Sequence, residues 1–128
     1  VPRTVLVIDD NPNNLMLEGD LLQVAGFRVL SAQNAASGIA IATREAPDVI
    51  IMDVRLPDMR GSAAAKILRG QAATHGIPIV FVTASVMPGG REEIADLSNS
   101  GFIGKPIDTR TFAGEVASFI KAGPMASE

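Results

Sequence analysis

The sequence predicts an α/β protein built as five strand–helix repeats, (βα)5, around a parallel sheet, and three observations carry that expectation. Short apolar runs recur at fairly even spacing along the 128 residues. Three of them are nearly continuous in aliphatic side chains, as in strands covered on both faces. Segments of helical periodicity lie between them, and right-handed crossovers from strand to strand then place helices on both faces of the sheet.

The strands are expected at TVLVI (4–8), FRVLSA (27–32), VIIM (49–52), IPIVFV (77–82) and the weaker GFIG (101–104). After the first, Asn11 and Pro12 offer an N-cap with proline at the first helical position. Leu17, Leu21 and Val24 then recur at i, i+4 and i+7, and Gly26 closes that helix. A thinner stripe of Ile39, Ala42 and Ala46 marks the second helix, and Ala63, Ala64, Ile67 and Leu68 mark the third. Pro88, Gly89 and Gly90 would spoil a helix beginning at Val86, so the fourth is expected to start near Arg91. The last has the clearest stripe, Phe112, Val116, Phe119 and Ile120, with Asp108 as its cap.

Composition narrows the class. Apolar residues make up 47% and charged residues 20%, the balance of an ordinary globular domain. A net charge of −3 leaves no electrostatic footprint for nucleic acid. Without cysteine there is neither a disulfide framework nor a thiolate metal site. No apolar run approaches the roughly 20 residues needed to span a bilayer, and VPRTVLVID lacks the pattern of a signal peptide. These features predict a cytoplasmic domain over residues 1–122, followed by a frayed tail at 123–128.

In a parallel α/β sheet, ligands bind beyond the carboxyl ends of the strands, where strand order reverses. The sequence is unusual at those ends. The first strand runs into Asp9 and Asp10, the third ends at Asp53, the fourth at Thr83, and the fifth leads into Lys105 and Pro106. Asp48 begins the third strand and so belongs to the opposite edge. Three gathered carboxylates repel one another, and a divalent cation resolves the conflict. Mg2+ suits an open cluster of acids because it keeps several waters and takes phosphate oxygens as ligands. Asp53 could then act as a nucleophile and form an aspartyl phosphate. Lys105 would supply a point charge, Thr83 a hydroxyl donor, and backbone N–H groups after Asp53 the remaining stabilisation.

These residues, IDDN (8–11), MDVRLPDMRG (52–61), VTA (82–84) and GKP (104–106), together resemble the receiver domain of two-component response regulators. Each motif alone is weak; all four in order, at the right strand ends, are specific, and the resemblance runs from Val5 to about Ile120. It implies the doubly wound, flavodoxin-like sheet with strand order 2-1-3-4-5. It also implies that Asp53 is the phosphoacceptor, that Asp9, Asp10, Asp53 and the Arg55 backbone carbonyl surround Mg2+, and that Thr83 and Lys105 contact the phosphoryl group. The Lys105–Pro106 bond would be cis. Such a domain is mainly a signalling module that catalyses its own phosphorylation and dephosphorylation. Its phosphodonor would be a sensor histidine kinase or a histidine phosphotransfer protein. Its signal would pass to a downstream protein or fused output domain through the face of the fourth helix, fifth strand and fifth helix. Arg55 and Ser85 lie two residues after Asp53 and Thr83, where receivers tune the lifetime of the phosphate.

Other readings compete residue by residue. Phe102 is either a core residue of the fifth strand or the aromatic switch position that receivers place there, and the resemblance favours the switch. His75, in a polar stretch with no second ligand nearby, reads as a surface residue. GFIGKP has the wrong spacing for a phosphate loop, and Pro106 stands where a hydroxyl is required. A Mg2+-dependent phosphatase similar to the haloacid dehalogenase family uses a comparable Asp, Ser/Thr and Lys set. Its Asp-x-Asp signature is missing, because Asp53 is followed by Val54 and Arg55. A pseudo-receiver that never takes up phosphate is the third reading, and the complete acid, Thr and Lys set argues against it.

Overall fold

The computed structural model describes residues 3–83, 100–104 and 107–121, with the side chains of Thr83, Ser100, Phe102 and Lys121 excepted. The elements are β1 (Thr4–Ile8), α1 (Pro12–Val24), β2 (Arg28–Ala32), α2 (Ala35–Glu45), β3 (Val49–Asp53), α3 (Gly61–Arg69), β4 (Ile79–Thr83), β5 (Ser100–Gly104) and a C-terminal helix (Phe112–Lys121). The strands form one parallel sheet in the order β2-β1-β3-β4-β5, as expected. The expected fourth helix, the Pro88–Gly90 stretch, Ser85, Lys105, Pro106 and the 123–128 tail lie outside the described residues. No helix among the described residues is long and apolar enough to cross a membrane.

The pleat sorts the aliphatic runs onto two faces, because successive strand side chains point to opposite sides. Leu6, Ile8, Ile50, Met52, Ile79 and Phe81 face one core with Ala35 and Ala42 of α2 and Ala64, Ala65 and Leu68 of α3. Val5, Val7, Val49, Ile51, Val80 and Val82 face the other with Leu22 of α1 and Phe112 and Val116 of the C-terminal helix. Both faces are therefore covered, which explains why the strands read as continuous aliphatic runs instead of alternating ones.

Local signals account for most boundaries. Asn11 caps α1 by accepting from the N–H groups of Asn13 (2.8 Å) and Asn14 (3.4 Å), with Pro12 at the first position. Gly26 follows at φ 101°, a left-handed turn that costs glycine little. The fourth strand begins at Ile79, not at Ile77, because Pro78 has no N–H for the ladder and contributes only its carbonyl, to Ile50 N–H (2.9 Å). Asp108 caps the turn ahead of the last helix, accepting from Arg110 N–H (2.9 Å), while its carbonyl receives Phe112 N–H (2.9 Å).

Three helical stripes differ from the expectation. In α1 the fully buried residues are Leu22 and Glu18, with Leu15 and Leu21 half-buried, while Leu17 and Val24 are 42% and 90% exposed. Apolar residues encircle most of this helix, so two stripes about one residue apart were open, and packing selected the one that buries a carboxylate. In α2, Ala46 is not part of the stripe; it is the left-handed cap at φ 50°. Pro47 follows it, and a residue before proline is pushed out of the right-handed helical region. In α3 the buried side is Ala64, Ala65 and Leu68, leaving Ala63 and Ile67 exposed.

Candidate functional site

Strand order reverses beside β1, which pairs with β2 on one side and with β3 on the other. The β1–β3 ladder ends at the Ile8–Met52 pair, so Asp9 and Asp53 are the next residues along two strands about 4.8 Å apart. Asp10 follows directly. Carboxylate oxygens of Asp9, Asp10 and Asp53 all lie within 4.8 Å of one another, with Asp9 buried, Asp53 half-buried and Asp10 exposed. The three acids read from the sequence are thus one cluster at the topological switch point.

The structure distinguishes the two adjacent acids. Asp9 N–H continues the β1–β2 ladder to Ala32 O (3.0 Å), which turns its side chain inward. Its Oδ1 accepts from Asn11 N–H (2.9 Å) and its Oδ2 from Asn14 Nδ2 (3.4 Å). Asp10 has stepped off the ladder and faces solvent. Asp53 ends β3, and its Oδ1 accepts the N–H of Arg55 (3.1 Å). The loop after β3 is thereby folded back on the carboxylate it follows. Three hard carboxylate oxygens so close together fit a small divalent cation with room for water and further oxygen ligands.

Thr83 ends β4 at the same edge, paired in register with Gly104 of β5. Phe102 is two residues earlier on β5, opposite Phe81. The side chains of both, and the whole of Lys105, lie outside the described residues. Asp48 sits at the other edge, where its Oδ2 accepts Thr4 N–H (2.7 Å) and its N–H reaches Thr4 O (2.8 Å). His75 is exposed, as expected.

Two residues near the site carry contacts that sequence reasoning passed over. Asn14 reaches back to Asp9 from the first turn of α1; the only signal was a third asparagine, three residues after the cap. Asp58, read as a loop residue, accepts the N–H groups of Ala35 (2.9 Å) and Ala36 (2.9 Å) at the start of α2. Those two backbone donors hold the Asp58 carboxyl below its ordinary value. No local spacing could have announced a contact between residues 22 and 23 positions apart.

A doubly wound sheet with an acidic triad at its switch point defines a class, and sequence comparison gives the family. Residues 5–117 match the response regulator receiver domain, and the chain belongs to that family, a phosphoacceptor signalling domain of two-component systems. The chain is 30% identical to the polar-differentiation response regulator DivK of Brucella anthropi over 94% of its length and 98% of that protein. Among solved structures it resembles the chemotaxis response regulator CheY4 of Vibrio cholerae, at 28% identity and a TM-score of 0.87, covering 93% of this chain and 99% of that one. It also resembles the receiver domain of the sensor histidine kinase PA1611 from Pseudomonas aeruginosa, which carries a magnesium ion in its active-site cleft. That likeness has 27% identity and a TM-score of 0.85, over 94% of this chain and 98% of that one. Receiver domains work with histidine kinases or phosphotransfer proteins and with output domains, so the family match favours the receiver reading over a haloacid dehalogenase-like phosphatase.

Proposed function

We propose that Asp53 accepts a phosphoryl group, in a Mg2+-dependent reaction, from a phosphohistidine on a sensor histidine kinase or phosphotransfer protein in the cytoplasm. The clustering of Asp9, Asp10 and Asp53 carries this reading. Asp10, Asp53 and the backbone carbonyl of Arg55 would hold the ion directly. Asp9, buried and already accepting from Asn11 and Asn14, would act on it through water. When bound, the cation supplies charge neutralisation to the carboxylates and to the incoming phosphoryl oxygens.

The chain's own part is positioning. A carboxylate oxygen of Asp53 forms a bond to phosphorus as the phosphorus–nitrogen bond of the donor breaks, and that electron pair returns to the imidazole. The Arg55 N–H fixes the orientation of the Asp53 carboxylate beforehand. Thr83 would donate its hydroxyl to the transferred group and Lys105 would add a positive charge. Phosphorylation brings about two negative charges beside Thr83. Movement of its hydroxyl toward them would leave space for Phe102 to turn inward, changing the face formed by the expected fourth helix, β5 and the C-terminal helix. A downstream protein or fused output domain would read that face. The backbone register, with Phe102 two residues before the partner of Thr83, supports the coupling.

Incubation with a small acyl phosphate donor and Mg2+ tests the reading by intact mass. Accumulation of one acid-labile phosphate, lost in Asp53→Asn, is the expected result. Continuous turnover without a phosphoprotein, or a phosphate mapped to Asp9 or Asp10, would overturn it.

A further inference from the structure

The loop between Asp53 and α3 is held at both of its ends and at its tip. At its base Gly61 N–H bonds to Val54 O (2.6 Å), and Arg55 and Arg60 form an antiparallel bridge. A Cβ on Gly61 would lie 2.7 Å from the Asp53 carbonyl oxygen, so the two strands of the loop touch backbone to backbone. Leu56 and Met59 are partly buried and pack against the core cluster that contains the buried residues of α2 and α3. At the tip, both oxygens of Asp58 are used, one on each of two successive N–H groups of α2. A carboxylate held through both oxygens has its plane fixed as well as its position.

Helix α2 has its own cap for the next donor, since Asn34 accepts Ser37 N–H (2.8 Å). A helix start needs such partners, but solvent can supply those for the first two N–H groups. Here a loop residue from beyond the phosphoacceptor supplies them instead. We propose that Asp58 is a positioning residue for the phosphoacceptor site. By pinning the loop to the first turn of α2, it holds the Arg55 backbone against Asp53 and couples occupancy of the site to the start of α2. This rests on the Mg2+ reading above, in which the Arg55 carbonyl is a ligand.

Coupling between two places is reciprocal. If Asp58 supports the metal site, Mg2+ binding must in turn tighten the Asp58 contacts with Ala35 and Ala36. Asn34 provides the control, since Asn34→Ala weakens the same helix start without touching the loop.

The test is titration of the protein with MgCl2, followed by amide shifts of Val54 and Arg55 and by hydrogen exchange at Ala35 and Ala36. In the wild-type protein, saturating Mg2+ should slow exchange at both amides. Asp58→Ala should bind Mg2+ about 10-fold more weakly, the low end of the losses seen when residues supporting a ligand are removed. It should also lose the Mg2+-dependent protection, whereas Asn34→Ala should keep wild-type affinity. Equal Mg2+ affinity in Asp58→Ala and wild type would overturn the proposal and leave the metal site standing. Equal weakening in Asp58→Ala and Asn34→Ala would overturn it too, by showing only a shared loss of helix stability. Absence of any Mg2+ response in the wild-type protein would instead refute the metal reading, and this inference with it.

Discussion

Replacing Asp10 with asparagine removes one charge from the acidic cluster while keeping its shape, and the consequence for stability can be worked from the separation. The three carboxylates approach within 4.8 Å. At that distance two unit charges repel by roughly 0.9 kcal/mol in bulk water and by roughly 3.5 kcal/mol at an effective dielectric of 20. Asp10 is exposed, so the lower figure governs, and it applies to two pairs, with Asp9 and with Asp53. Asp10→Asn should therefore stabilise the metal-free protein by about 1–2 kcal/mol at low ionic strength. Urea unfolding with EDTA present measures this directly, and the difference should shrink in about 1 M salt, where the screening length falls to about 3 Å. Added Mg2+ should invert the order. At a concentration about 100-fold above its dissociation constant, the ion stabilises the wild-type fold by about 2.7 kcal/mol. Most of that gain should be missing in the variant. A variant no more stable than wild type without metal would refute the repulsion argument. Equal stabilisation of both proteins by Mg2+ would refute the assignment of Asp10 as a ligand.

Two further outcomes follow from the packing and from a titrating group. A methyl group added at Gly38 would run into the side chain of Ile8, the residue just before Asp9. Gly38→Ala should cost about 1–3 kcal/mol in urea unfolding, and Ile8→Val should recover part of that loss in the double variant; strictly additive losses would show that the contact is not the cause. The Asp58 carboxyl is held below its ordinary value by the N–H groups of Ala35 and Ala36. A depressed carboxyl adds stability above its unfolded value, about 3.9, and loses it as pH falls through the folded value. The stability gap between wild type and Asp58→Asn should therefore be widest above about pH 4 and narrow as the pH falls below it. A gap independent of pH across that window would show that the charge contributes nothing.

Much of this protein was legible in its sequence because the relevant signals are local or one-dimensional. Continuous aliphatic runs at 4–8 and 49–52 announce strands buried on both faces, and the sheet confirms this by sending Leu6 and Val7 to opposite cores. Asn11 and Pro12 announce a helix start through bonds that reach only two or three residues. Asp9, Asp10 and Asp53 could be assigned to one edge because a strand's last residue must emerge at its carboxyl end. Tertiary structure decided what depends on contacts distant in sequence. The expected stripe of α1, Leu17, Leu21 and Val24, is not the buried one, because Leu15 and Leu22 offered a second and docking on the sheet chose the side with Leu22 and Glu18. The cap at Ala46 is a different case, since Pro47 disfavours the right-handed conformation of its neighbour and the signal was in the sequence but not used. The unequal roles of Asp9 and Asp10 arise because one residue is still on the β-ladder and the next is not. The bond from Asp58 to α2 exists only because a loop after β3 folds over a helix before it, and no periodicity or motif along the chain encodes that meeting.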